Sequence, residues 1–146
     1  MSIALFLHVV SDVIWIGGMF LAYMAVRPAA MVLEPPLRLK LWTGIFSRFF
    51  PWVWAAVALI VATGFVMMGQ MGPVPPYVIA MTGIGVVMSA IFMHIVFAPF
   101  AKLKRAVASE DWKAGGAALN QIRILVGVNL TLGLVNIAVA ILGRAF

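Results

Sequence analysis

The stretch IALFLHVVSDVIWIGGMFLAYMAV, Ile3 to Val26, decides the fold. It holds a single carboxylate and a single imidazole in an otherwise apolar run, and it stops at Arg27-Pro28. A helix rises about 1.5 Å per residue, so about 20 mostly apolar residues cross the hydrocarbon core of a bilayer. Three more stretches qualify: Trp52 to Met68 after Pro51, Tyr77 to Phe97 before Pro99, and Ile122 to Leu142 before Gly143. The expected fold is all-α, one transmembrane domain over residues 1–146. It is an integral membrane four-helix bundle with helices at about 3–26, 52–68, 77–97 and 122–142.

Composition points the same way. Hydrophobic residues make up 65% of the chain and charged ones 10%. A small soluble domain leaves too much surface exposed to hide that apolar area, so the partner that covers it is the lipid bilayer. A net charge of +6 would raise nucleic acid in a soluble domain. Here the cations fall in two clusters between hydrophobic runs, which is a topology signal, and no nucleic-acid partner is expected. The absence of cysteine excludes disulfides, thiolate metal sites and iron-sulfur clusters. Met1 to Leu7 carry no basic leader, so the first helix is expected to be retained rather than cleaved as a signal peptide.

Arg27, Arg38, Lys40, Arg48, Lys102, Lys104, Arg105, Lys113 and Arg123 lie toward one side, against Arg144 alone on the other. By the positive-inside rule the connections 27–51 and 98–121 are cytoplasmic, and the N-terminus and C-terminus lie outside a bacterial-type cytoplasmic (inner) membrane. Gly69 to Pro76 is then a tight external loop. Leu37 to Phe50, with cations interleaved among Leu and aromatic residues, reads as an interfacial amphipathic segment or as an N-terminal extension of the second helix. Ser109 before Glu110, Asp111 and Trp112 reads as a helix N-cap. Ala58 with Ala62, and Gly127 with Thr131, are small residues spaced for close helix approach.

Polar side chains inside a bilayer are costly, which makes each of them a candidate for function. His8, Asp12 and Trp15 recur at helical spacing on one face of the first helix, with Met19 continuing the stripe. The third helix holds Ser89 and His94, and the fourth holds Asn129 and Asn136 seven residues apart. A carboxylate one turn from an imidazole can fix its tautomer, as at metal sites. The competing structural reading has Asp12 hydrogen-bonded to an asparagine of the fourth helix. His8 and His94 lie near opposite boundaries, about 15 to 20 Å apart along the membrane normal, so one metal ion cannot bind both within a chain. At the level of His8 stand Met67, Met68, Met71 and Met81. Imidazole with thioether suits Cu(I), and a His/Met pair also suits a heme iron, whereas methionine in an apolar bundle also serves as flexible packing.

Several segments carry a resemblance. Leu7-His8-Val9-Val10 through Trp15-Ile16-Gly17-Gly18, Leu33-Glu34-Pro35-Pro36-Leu37, Ser47-Arg48-Phe49-Phe50-Pro51-Trp52, Phe92-Met93-His94 with Phe97-Ala98-Pro99, and Leu119 to Arg123 leading to Asn129-Leu130 are similar to the CopD copper-resistance family. The likeness covers most of the chain and is to a short, four-helix branch. The His, Trp and Gly spacing of the first helix also resembles the HemJ family of four-helix membrane proteins, which bind heme b and oxidise protoporphyrinogen. That resemblance implies a heme ligand at His8. A lysine important for activity in the third HemJ helix has no counterpart between Tyr77 and Pro99.

The leading expectation is a heme b protein for electron transfer or heme handling. In it His8 is the axial ligand, Asp12 orients it, Trp15 and Gly18 line the porphyrin pocket, and Asn129 and Asn136 sit nearby. The first alternative is a copper-handling protein with His8, His94, Met67, Met68 and Met81 as ligands, passing Cu(I) inward. The second is a cofactor-free structural subunit. A homodimer is expected, because four helices enclose little volume for a porphyrin, and a quinone or other redox partner would accompany the heme reading.

Overall fold

The computed structural model describes residues 1–145. Four helices are long and apolar enough to cross a membrane: Ser2–Val32, Pro35–Gly69, Pro76–Ala108 and Trp112–Leu142. They are called the first to fourth spans below. Many large apolar side chains, among them Ile3, Phe6, Phe65 and Ile141, point away from the bundle, as a lipid-facing surface requires.

Proline sets the breaks. Leu33 and Glu34 turn extended before Pro35, because a proline ring disfavours helical backbone in the residue ahead of it. Ala98 leaves the helical region before Pro99, so the third span divides into Pro76–Phe97 and a short helix, Pro99–Ala108. The short helix is amphipathic: Phe100, Leu103 and Ala106 are buried while Lys102, Lys104 and Arg105 are exposed.

Four local expectations need correction. The first helix does not stop at Arg27-Pro28; it runs on through Pro28 to Val32. The second helix does not begin after Pro51; it runs unbroken from Pro35 to Gly69 with Pro51 inside it. The region 35–50 is thus the N-terminal extension and not a loop. Its cause is packing: Leu39, Trp42, Phe46 and Phe50 recur every three to four residues and all are buried, which offsets the backbone bond that Pro51 cannot make. The cap of the fourth span is Asp111, whose carboxylate accepts from the Ala114 amide at 3.1 Å. Ser109 instead donates back to the carbonyl of Arg105 at 3.1 Å. The preceding helix closes with Glu110 at φ 57°, the Glu110 amide bonding to Val107 and the Asp111 amide to Ala106. This is a Schellman closure with glutamate where glycine is usual. Finally, Ala58 and Ala62 are exposed and bring no helices together, whereas Gly127 lies against the Tyr23 ring.

The first span packs along the second, the third along the fourth, and the first and fourth also touch. The core is an aromatic layer toward the basic end. Trp42, Phe46 and Phe50 form a column with centroid separations of 5.2 and 5.1 Å, and Phe50 meets Phe100 edge-on at 4.9 Å and Phe92 at 5.5 Å. Trp15 reaches Phe92 from the first span at 6.2 Å. Toward the other end burial thins out, and the first turns of the first and third spans hold no buried side chain.

Gly133 marks where three spans converge. A Cβ there would stand 3.0 Å from Ile16 Cγ1 and 3.2 Å from Met88 Cε. Gly133→Val is therefore expected to destabilise the bundle by about 1–3 kcal/mol through overpacking. Thermal unfolding in detergent, compared with Gly83→Val, where a Cβ meets nothing within 4 Å, checks this.

Candidate functional site

His8 projects from the first span onto the second, where its Nδ1 lies 2.9 Å from Thr63 Oγ1. A threonine hydroxyl has one proton to give. Thr63 donates that proton to the Leu59 carbonyl at 2.5 Å, one turn back on its own helix. The oxygen is thereby set to accept from a protonated Nδ1, and the tautomer with its proton there keeps on Nε2 the lone pair by which imidazole binds a metal. Gly64 lies beside the ring, where a Cβ would stand in ordinary contact at 3.7 Å from His8 Cε1.

Thr63, not Asp12, is thus the hydrogen-bond partner of His8 in this structure. Asp12 lies one turn away on the same helix face, half-buried. Among the described residues it is not bonded to an asparagine: Asn129 Nδ2 donates to the Met88 carbonyl at 3.2 Å, and Asn129 Oδ1 and Asn136 Oδ1 are both buried with no partner among those residues. Met67 follows Thr63 by one turn on the same helix, half-buried, and Met68 places its sulfur 3.8 Å from Thr82 Oγ1 on the third span. Met81 and Met71 are likewise half-buried around this end. Among the described residues no group of three His, Cys, Asp or Glu comes together. Thioethers are the soft donors at this end of the bundle, and thioether with imidazole favours Cu(I) over zinc.

The remaining candidates do not join this site. His94 is exposed on the outside of the bundle, one turn before the break at Ala98 and toward the opposite end from His8. Trp15 is 3% exposed and serves as core against Phe92. Gly18 faces the Phe49 ring, which fills the space a Cβ would need. The cavity that Trp15, Gly18, Phe49, Phe92 and Asn129 line measures about 160 Å³, below the roughly 300–1,000 Å³ of small-molecule sites. The residues expected to line a porphyrin pocket are packed against one another and do not fit that group. Ser89 donates to the Gly85 carbonyl at 2.8 Å, one turn back on its own helix.

Sequence reasoning missed Thr63. The available signal was a hydroxyl inside an apolar helix four residues before Met67, on the helix that packs along the first span.

Four apolar spans with polar groups confined to a few interior positions define a multi-pass helical membrane protein. The chain belongs to the CopD family, described as copper resistance protein D, which it matches over residues 43–142. The matched region covers the second span from residue 43 and the third and fourth spans, with Thr63, Met67, Met68 and Met81, and leaves out the first span with His8. No curated relative and no solved structure matches.

Proposed function

We propose that this protein handles copper at the cytoplasmic membrane, binding Cu(I) from the outer face between the first and second spans. His8 Nε2 is the nitrogen ligand, and Met67 with Met68 or Met81 supplies sulfur. The observation that carries this reading is the Thr63 contact, which engages His8 Nδ1 and leaves Nε2 as the nitrogen to offer a metal. The copper-resistance description of the family supports it. Asp12, one turn inward on the same face, presents a carboxyl group beside the proposed ligand. His94 lies outside this site. Cu(I) is cargo here, and loose packing at this end of the bundle gives it a way in. Titration of purified protein against a Cu(I)-specific chelator tests the reading: a single Cu(I) per chain is expected, and no competition for Cu(I) rejects it.

Sidedness is part of the proposal. The basic end holds eight of the ten cations in its connections, which by the positive-inside rule supports a cytoplasmic basic end with His8 near the outer face. A reporter fused to the C-terminus should be active outside the cytoplasm, and one inserted near Glu110 should be active inside. The opposite pattern would put His8 on the cytoplasmic side and overturn uptake from outside.

A further inference from the structure

A second cavity lies at the basic end, between the first, second and fourth spans, and measures about 360 Å³. Arg27, Arg38 and Arg123 line it, one from each of the three spans. Of the ten Lys and Arg side chains these three alone are half-buried; the other seven are exposed. Drawing a guanidinium partly out of water costs solvation, which carboxylate neighbours usually return. Here the neighbours are neutral. Arg27 lies over the Tyr23 ring at 5.3 Å, Arg38 donates to Met31 Sδ at 3.4 Å, and Arg123 donates to Asn120 Oδ1 at 2.7 Å. None of the four acidic residues lines the cavity.

We propose that this cavity binds the phosphodiester headgroup of an anionic phospholipid. Guanidinium groups match phosphate oxygens in charge and in bidentate geometry. The source is a lipid and not free phosphate because the rest of the wall is apolar and aromatic, with Leu39, Trp42, Phe46 and Trp112, and so accepts glycerol and the upper acyl chains. Tryptophan and arginine at a helix end also mark headgroup depth. The site is separate from His8, which lies at the other end of the bundle, and its failure would leave the copper reading untouched.

Native mass spectrometry of the delipidated protein, titrated with phosphatidylglycerol, phosphatidylcholine or inorganic phosphate, tests the proposal. Phosphatidylglycerol is expected to bind at least tenfold more tightly than phosphatidylcholine, and inorganic phosphate in excess is expected not to displace it. Each basic side chain near an anionic headgroup contributes about fivefold, so replacing Arg27, Arg38 and Arg123 together by Gln should weaken phosphatidylglycerol on the order of a hundredfold. The triple Lys replacement should recover most of that loss. Replacing Lys102, Lys104 and Arg105 by Gln removes the same charge at the same end outside the cavity, and should weaken binding no more than a few-fold. Equal wild-type affinity for the two lipids, displacement by inorganic phosphate, or an equal loss in both Gln triples would each overturn the proposal. The wild-type comparison decides even if a triple variant fails to fold.

Discussion

Cu(I) affinity should fall more than a hundredfold in His8→Ala, because the only nitrogen ligand of the proposed site is lost and two thioethers alone hold Cu(I) weakly. The companion variant Thr63→Val keeps the ring but removes its acceptor. Partners that orient a metal-binding imidazole are worth about 10–100-fold in affinity, and a loss in that range is expected. Thr63→Ser restores the hydroxyl and should restore binding. Thr63 acts as a positioning residue, so the pattern matters more than the size. A purely structural role would lower thermal stability in Thr63→Val and leave the affinity of the folded fraction unchanged. Chelator competition on monodisperse protein separates the two.

Phe92→Ala should be the most damaging substitution in the core. The ring meets Trp15 of the first span at 6.2 Å and Phe50 and Trp54 of the second at 5.5 and 5.0 Å, so its removal opens a hole among three spans. In water such a change costs about 3–5 kcal/mol, part of it transfer of the side chain from solvent. Lipid is itself apolar, which shrinks that part and leaves the lost packing, and about 2–3 kcal/mol is expected. Phe65→Ala is the control. That ring is 66% exposed and faces lipid, so its loss should change stability by about 0.5 kcal/mol or less. Unfolding both variants in mixed detergent measures the difference, and equal losses would mean that the aromatic layer is not the core.

The spans were legible in the sequence because hydrocarbon thickness dictates helix length and the prolines at 35, 76 and 99 punctuate it, whereas the first span runs on through Pro28. The family was legible from motifs spread along the chain, and its match to residues 43–142 agrees with that resemblance. Pro51 was misread because a local rule, proline at a helix start, yields when side chains on both sides of it are buried in the same core, as Phe50 and Val53 are. Ser109 was misread for a related reason: Asp111, two residues later, makes the cap bond once the Schellman turn fixes where the fourth span begins.

The site was half legible. His8 and Met67 stand out by residue type, but the bond that orients His8 comes from 55 positions away, and only the register between two spans brings Thr63 to it. Gly18 read as open space for a cofactor, yet the Phe49 ring occupies it. Glycine in a membrane helix signals close approach without saying of what. His94 read as a ligand only in the copper alternative, beside His8. Its exposure differs because position 94 falls on the outer side of a helix whose neighbours Phe92 and Ile95 face inward.

The central claim is that His8 Nε2 and methionine sulfur hold Cu(I). X-ray absorption at the copper edge of the Cu(I)-loaded protein tests it most directly. The account predicts a shell of one imidazole nitrogen with thioether sulfur, and loss of the imidazole scattering in His8→Ala. A sulfur-only shell, or a spectrum that His8→Ala leaves unchanged, would contradict it.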